Sequence, residues 1–144
     1  MGFTPDGKGM YYTDTRKREI YIFDYDQGTG AITNQRVFVR VAKGEGGPDG
    51  MTVDAEGYVW GARWGGGCVV RYAPDGTEER RISFPARKVS SVTFGGGDYT
   101  DLYVTTAGGH NKPEDGAGAG ALFRVRLGDE GIRGVPEFRS GIQV

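Results

Sequence analysis

The sequence is short of the residues on which many enzyme sites depend. Its 144 residues include one cysteine, Cys68, and one histidine, His110. A single cysteine excludes a disulfide framework within the chain, and Cys68, in an apolar stretch, is expected to act as a small core hydrophobe. A single histidine excludes a histidine-rich zinc site built from one chain. Any metal ion is therefore expected to be held mainly by oxygen atoms, as hard cations prefer.

An excess of charge and long apolar runs are also missing. The 18 basic residues nearly balance the 19 acidic ones, which leaves a net charge of −1. Without a run of like charge, neither nucleic acid nor a membrane surface is expected as a partner. No apolar run approaches the length that crosses a bilayer, and the first residues lack the order of a signal peptide. We therefore expect a cytoplasmic location.

Motifs for covalent catalysis are absent from the sequence. It contains no phosphate-binding glycine loop with its lysine, no histidine pair for zinc and no nucleophile elbow. Ser90 and Ser91 have no sequence context of a catalytic triad. A reaction through a covalent intermediate therefore has no support.

Glycine and short apolar strands dominate what is present. The chain contains 27 glycines, whereas the average usage of about 7% would give roughly ten. They cluster between β-branched and aromatic runs, as in tight turns. Strand-like alternation occurs in six segments: Ile20 to Phe23, Ile32 to Val41, Tyr58 to Trp60, Val69 to Tyr72, Leu102 to Val104 and Leu122 to Val125. No window of a dozen residues has the spacing of an amphipathic helix. The sequence therefore predicts an all-β fold.

The predicted strands recur in a fixed order. An apolar strand, an acidic and glycine-containing turn and an aromatic strand follow one another in Phe3 to Thr13, Thr52 to Gly61 and Val92 to Thr105. A recurrence of about forty to fifty residues is the period of β-propeller blades. A β-sandwich is the alternative, but it needs no such phase, whereas blades present the same turn to the same face. We predict one partial propeller domain of about three blades, approximately at residues 1–43, 44–86 and 87–144.

Asp49 is the carboxylate that this fold would place in a site. It lies in Gly47-Pro48-Asp49-Gly50-Met51, immediately before the innermost strand of the second blade. In a propeller this point faces the central channel, where side chains of several blades converge. Pro-Asp-Gly is also an ordinary turn sequence, so spacing alone leaves both a turn role and a site role open.

Several motifs resemble those of the family of gluconolactonase and regucalcin, also called senescence marker protein. They include Gly2-Phe3-Thr4-Pro5-Asp6-Gly7, Phe23-Asp24-Tyr25-Asp26, Pro48-Asp49-Gly50-Met51, Val59-Trp60-Gly61-Ala62, Thr93-Phe94-Gly95-Gly96 and Gly120-Ala121-Leu122-Phe123-Arg124-Val125. The resemblance is collinear over nearly the whole chain and corresponds to the C-terminal half of the family's proteins. It implies that the chain forms three blades, or half, of a six-bladed propeller.

The resemblance also implies a function, the metal-dependent hydrolysis of sugar lactones. Asp49 would be both a metal ligand and the catalytic proton acceptor and donor. The implied cofactor is a divalent cation, Ca²⁺ first and Zn²⁺, Mn²⁺ or Mg²⁺ otherwise, although the family's glutamate and asparagine ligands have no counterpart in this sequence. A non-catalytic calcium-binding or scaffold propeller module is the alternative function. The expected partners are a small-molecule lactone and a second copy of the chain, since a homodimer could close the ring.

Other polar residues carry weaker expectations. Arg63 and Trp64 follow the second strand of the middle blade, where they would either pack at the rim of the channel or contact a ligand. His110 lies in a long polar loop, which is predicted to be either a lid or a mobile insertion. Turn roles are expected for Asp14, Asp54 and Asp101.

Overall fold

Three antiparallel sheets follow one another along the chain. The computed structural model describes residues 1–108 and 113–136. The first sheet contains β1 (Gly2–Phe3), β2 (Gly9–Asp14), β3 (Glu19–Tyr25) and β4 (Ile32–Arg40). The second contains β5 (Gly47–Val53), β6 (Val59–Trp64), β7 (Cys68–Tyr72) and β8 (Glu78–Ser83). The third contains β9 (Val89–Gly95), β10 (Asp101–Thr106) and β11 (Leu122–Arg126).

Each sheet is a meander in which strands that are neighbours in sequence are also neighbours in space. The first strands of the three sheets contact one another, β1 with β5 and β5 with β9. This arrangement is that of consecutive propeller blades around an axis, with β1, β5 and β9 innermost. The predicted all-β, three-bladed architecture is confirmed.

Two apolar layers hold the blades together. Between the first and second sheets the layer contains Tyr11, Ile20, Val70 and Cys68, so the thiol is a core residue as expected. Between the second and third sheets the layer centres on Trp60, whose ring lies 5.9 Å from that of Phe94 in an edge arrangement. The side chains of the middle sheet alternate between these layers because successive residues of a strand point to opposite faces. The middle blade is therefore buried on both faces, and β7 is buried at every position.

Short polar turns connect the strands. At the β5–β6 turn the N–H of Gly57 donates to the carbonyl of Asp54 over 3.0 Å, and Gly57 has a φ of 86°. That left-handed conformation is unstrained for glycine alone, which explains the Asp-Ala-Glu-Gly sequence of this turn. Asp14 fills the expected turn role, since its carboxylate accepts the N–H of Lys17 over 3.0 Å.

Helical structure is minimal in the part of the chain that the structure describes. It consists of two 3₁₀ turns, Pro113–Asp115 and Gly128–Glu130, and neither is long enough to cross a membrane. His110, for which a lid or a mobile insertion was predicted, lies outside the described residues.

Candidate active site

The end of the channel at which β5 and β9 begin is called the mouth here. Arg18, in the turn between β2 and β3, fixes the loop that enters β5 at this end. Its guanidinium donates to the carbonyls of Val41 over 3.1 Å, of Gly46 over 2.5 Å and of Ala42. Arg18 therefore anchors the segment that leads to Asp49.

Asp49 lies in a β-bulge near the start of β5. Pro48 pairs with Arg63 and Met51 pairs with Gly61, so the two residues between them on β5 oppose one residue on β6. A bulge redirects the side chains of the extra residue, and bulges are common beside active sites. The bulge departs from the simple strand entry expected from sequence, and it takes Asp49 out of the regular alternation of β5.

The Asp49 carboxyl lies in a partly desolvated environment. The side chain is half-buried, and burial raises its pKa, while a hydrogen bond from the Gly50 N–H partly opposes the shift. No basic residue contributes to this shift. Asp49 is therefore a partly desolvated carboxylate without a cationic partner among the described residues.

Gly50 brings the second and third blades into backbone contact beside Asp49. A Cβ at Gly50 would lie 2.7 Å from the Cα of Ser91 on β9, closer than side chains tolerate. Only glycine fits at this approach, which gives a local reason for the Pro-Asp-Gly sequence. Ser91 itself is exposed.

Arg63 and Trp64 occupy different places, because adjacent residues of β6 point to opposite faces. Trp64 is 41% exposed at the mouth, where its backbone pairs with Gly47 and forms a bridge with Lys88. Arg63 is buried between the first two blades, with its guanidinium carbon 5.5 Å from the ring centre of Tyr72. Burial lowers the pKa of Arg63. The structure therefore places Trp64 at the rim, whereas Arg63 is buried behind it.

Lys88 and Asp115 form an ion pair at the mouth that sequence reasoning missed. The Lys88 ammonium lies 2.9 Å from the carboxylate of Asp115, which is almost fully buried, and 5.9 Å from the centre of the Trp64 ring. Lys88 and Asp115 belong to the third blade and Trp64 to the second, and no local spacing in the sequence indicates that they meet.

Asp54 and Asp101 are not simple turn residues. The fully buried Asp54 accepts hydrogen bonds from the Trp60 indole over 2.9 Å and from Arg71 over 2.7 and 2.9 Å. Asp101 pairs with Arg124 over 2.7 Å. Both ion pairs hold strands together within a blade.

The donors around Asp49 fit one position of a hard-cation site. A carboxylate oxygen is the ligand that Ca²⁺ and Mg²⁺ prefer, but these ions take about six to eight oxygens in total. Among residues 1–108 and 113–136, no group of three or more acidic, histidine or cysteine side chains lies close enough together to hold a metal. The other ligands of a cation at Asp49 would be backbone carbonyls, hydroxyls, water molecules or residues outside this part of the chain.

A cavity of about 400 Å³ lies at the other end of the innermost strands. Its lining includes Phe3 of β1, Met51 and Val53 of β5, and Thr93 of β9. Asp49 does not line it, so the cavity and the candidate carboxylate are separate features of the channel.

Comparison with protein families identifies the chain. The model of the SMP-30/gluconolactonase/LRE-like region matches residues 1–108. The chain belongs to this family. The resemblance inferred from the sequence motifs is thereby confirmed, and the SMP-30/gluconolactonase match includes Asp49, Ser91, Trp64 and Lys88.

Relatives within the SMP-30/gluconolactonase family include named lactonases. The chain is 48% identical to pentonolactonase XacC of Haloferax volcanii, with 100% of the chain and 51% of the relative covered. It is 45% identical to L-arabinolactonase of Azospirillum brasilense, with 74% of the chain and 35% of the relative covered. The structure of a calcium-binding protein, regucalcin, from Agrobacterium tumefaciens matches with a TM-score of 0.82 and 32% identity, covering 93% of this chain and 46% of that one. The chain spans about half the length of such relatives or less.

Proposed function

We propose that the chain forms part of a divalent-cation-dependent hydrolase of sugar lactones, with Asp49 as the catalytic carboxylate. The observation that supports this most is the state of Asp49 at the mouth: half-buried, without a basic partner and redirected by a bulge. Two relatives bear names of lactonases that act on five-carbon sugar lactones. We therefore propose a five-carbon aldonolactone as the substrate class, and residues 1–144 as one three-bladed domain.

The proposed reaction needs no covalent intermediate. Water attacks the lactone carbonyl carbon while the Asp49 carboxylate accepts a proton from it. The ring C–O bond then breaks, and Asp49 returns the proton to the departing ring oxygen, which leaves a hydroxy acid. When bound, a divalent cation would stabilise the negative charge on the carbonyl oxygen. Asp49 would be the chain's own ligand to it, with Ca²⁺ as the first choice and Zn²⁺, Mn²⁺ and Mg²⁺ as alternatives.

Hydrolysis of a panel of lactones tests this function. The purified chain is mixed with a five-carbon and a six-carbon aldonolactone, and acid release is followed with a pH indicator in the presence of each cation in turn. We expect faster hydrolysis than in buffer, a preference for the five-carbon lactone, and loss of activity when a chelator is added. A rate equal to that of buffer with every cation would contradict the proposal.

The second candidate function is calcium binding without catalysis. It is favoured by the close structural match to a protein described as calcium-binding. The lactone panel separates the two functions, because saturable binding of Ca²⁺ without hydrolysis of any lactone would support this one.

We also propose that two copies associate around a two-fold axis and close the ring. The outward faces of the end blades carry exposed apolar side chains, Tyr12 at 47% and Val37 at 37% on the first blade and Leu122 at 64% on the third. Tyr12 and Leu122 alternate with residues of the buried layers, so they point away from the middle blade. A two-fold axis along the channel would bring the first blade of one copy onto the third blade of the other.

Light scattering over a dilution series tests this association. We expect a dimer at micromolar concentration. Its two interfaces together should bury the area usual for a stable complex, about 1,200 to 2,000 Å². Leu122→Glu should shift the equilibrium to monomer, whereas Thr77→Glu on an exposed turn of the middle blade should not. A well-folded wild-type monomer at these concentrations would contradict the dimer.

A further inference from the structure

At the mouth, an exposed side chain, Trp64, continues the apolar layer between the second and third blades. Trp60 and Ala62 on β6 are fully buried in that layer, and Trp64 is the next residue on the same face. Its indole is 41% exposed. A large aromatic surface exposed at the rim of a channel is a common feature of ligand sites, where it packs against the apolar faces of ligands.

Lys88 is held in place beside this tryptophan. Its ammonium donates to Asp115 over 2.9 Å, and Asp115 is itself fixed because its carbonyl accepts the N–H of Arg87 over 2.8 Å. The Lys88 carbonyl accepts the N–H of Ala107 over 2.8 Å, which anchors the same segment from the other side. A lysine ammonium has three donors, so two remain for a ligand after the bond to Asp115. The side chain is 31% exposed, which leaves those donors accessible.

The Trp64–Lys88 pair and Asp49 flank the same stretch of the seam between β5 and β9. Trp64 pairs with Gly47, two residues before Asp49. Lys88 immediately precedes β9, and Ser91 on that strand contacts Gly50, the residue after Asp49. A small ligand at Asp49 would therefore lie along the same seam as the indole and the ammonium.

We propose that Trp64 and Lys88 bind the sugar part of the lactone and the carboxylate of the aldonate product, with Asp115 positioning Lys88. The indole face packs against C–H groups of the sugar, and the ammonium donates to hydroxyl or carboxylate oxygens. Such a site would determine which sugar chain length is preferred, and it would favour a sugar acid over the matching polyol. Asp49, a carboxylate, provides neither preference. The proposal rests on the proposed lactonase function, but the aldonate-binding step requires neither a cation nor turnover.

The two tryptophans of the chain make a direct test available. Trp60 is buried, and its indole N–H donates to Asp54 over 2.9 Å, so it serves as an internal reference for Trp64. The full chain is labelled with ¹⁵N, and the two indole N–H signals are assigned with Trp64→Phe. A five-carbon aldonate and the matching alditol, which lacks the carboxylate, are then titrated in buffer with chelator and no divalent cation.

We expect the Trp64 signal to move and saturate with aldonate at concentrations up to about 50 mM, above the millimolar affinity of a weak polar ligand. The Trp60 signal should stay in place, and the alditol should bind more weakly. Lys88→Met should raise the Kd for aldonate about tenfold, the usual effect of losing a charge-assisted hydrogen bond. Lys43→Met, an exposed lysine in the loop before β5, is the matched control and should leave the Kd unchanged.

A Trp64 signal that does not move, or an equal shift of both indole signals, would overturn the proposal. So would an unchanged Kd in Lys88→Met. Asp49→Asn separates this proposal from the catalytic one, because it should lower the rate of hydrolysis by about 10² to 10⁴ while the Trp64 shift with aldonate persists. If the wild-type chain shows the shift but hydrolyses no lactone, the binding site stands and the lactonase function fails.

Discussion

Asp54→Ala is expected to lower the free energy of unfolding by about 3 to 5 kcal/mol, the cost of removing one member of a buried ion pair. The carboxylate accepts two bonds from Arg71 and one from the Trp60 indole, all within 2.9 Å. Its other oxygen accepts the backbone N–H groups of Glu56 over 3.0 Å and Tyr58 over 2.9 Å. Removing it would leave Arg71 buried, with the 61% exposed Glu56 side chain as its closest remaining partner.

Urea unfolding followed by circular dichroism measures this cost. Asp75→Ala is the control, because its exposed carboxylate accepts a turn N–H over 2.9 Å but carries no buried charge partner, and it should cost no more than about 1 kcal/mol. The double variant Asp54→Ala/Arg71→Met should be more stable than Asp54→Ala, since the uncompensated charge is gone. A loss below about 1 kcal/mol in the single variant, or no recovery in the double one, would contradict the role assigned to the pair.

The fold was predictable from sequence to a large extent because it depends on local patterns. Alternation along Leu102 to Val104 predicted a strand, and β10 contains it. The repeat of strand and turn predicted three blades, because blades around an axis must present equivalent turns. The bulge at Asp49 was not predictable, since it depends on the pairing of Pro48 with Arg63 and of Met51 with Gly61, which only the assembled sheet defines.

The polar contacts were harder to predict because they join distant parts of the chain. Asp54 does accept turn N–H groups, as expected, but its second oxygen pairs with Arg71, 17 residues away. Arg63 and Trp64 were expected together at the rim, yet β6 places them on opposite faces of the sheet. An arginine such as Arg71 within the otherwise apolar run Cys68–Tyr72 was the available signal for a buried acidic partner.

Asp49→Asn is expected to lower the rate of lactone hydrolysis by about 10² to 10⁴, the usual contribution of a general base. Asparagine keeps the size of the side chain and its place in the bulge, but it cannot accept the proton of the attacking water. The fold should persist, because Asp49 forms no ion pair with the described residues. Asp75→Asn serves as the control for loss of an aspartate elsewhere. Retention of more than about a tenth of the rate, a barrier change of only about 1.4 kcal/mol, would contradict the catalytic role.

Titration of the chain with Ca²⁺ by isothermal calorimetry, in parallel with Asp49→Asn, tests the role of Asp49 most directly. It needs neither a substrate nor turnover, and it reports on the carboxylate as a ligand. We predict saturable binding by the wild-type chain and a Kd at least about tenfold higher in the variant, or about 1.4 kcal/mol. Equal affinities, or no binding of any divalent cation by the wild-type chain, would contradict it.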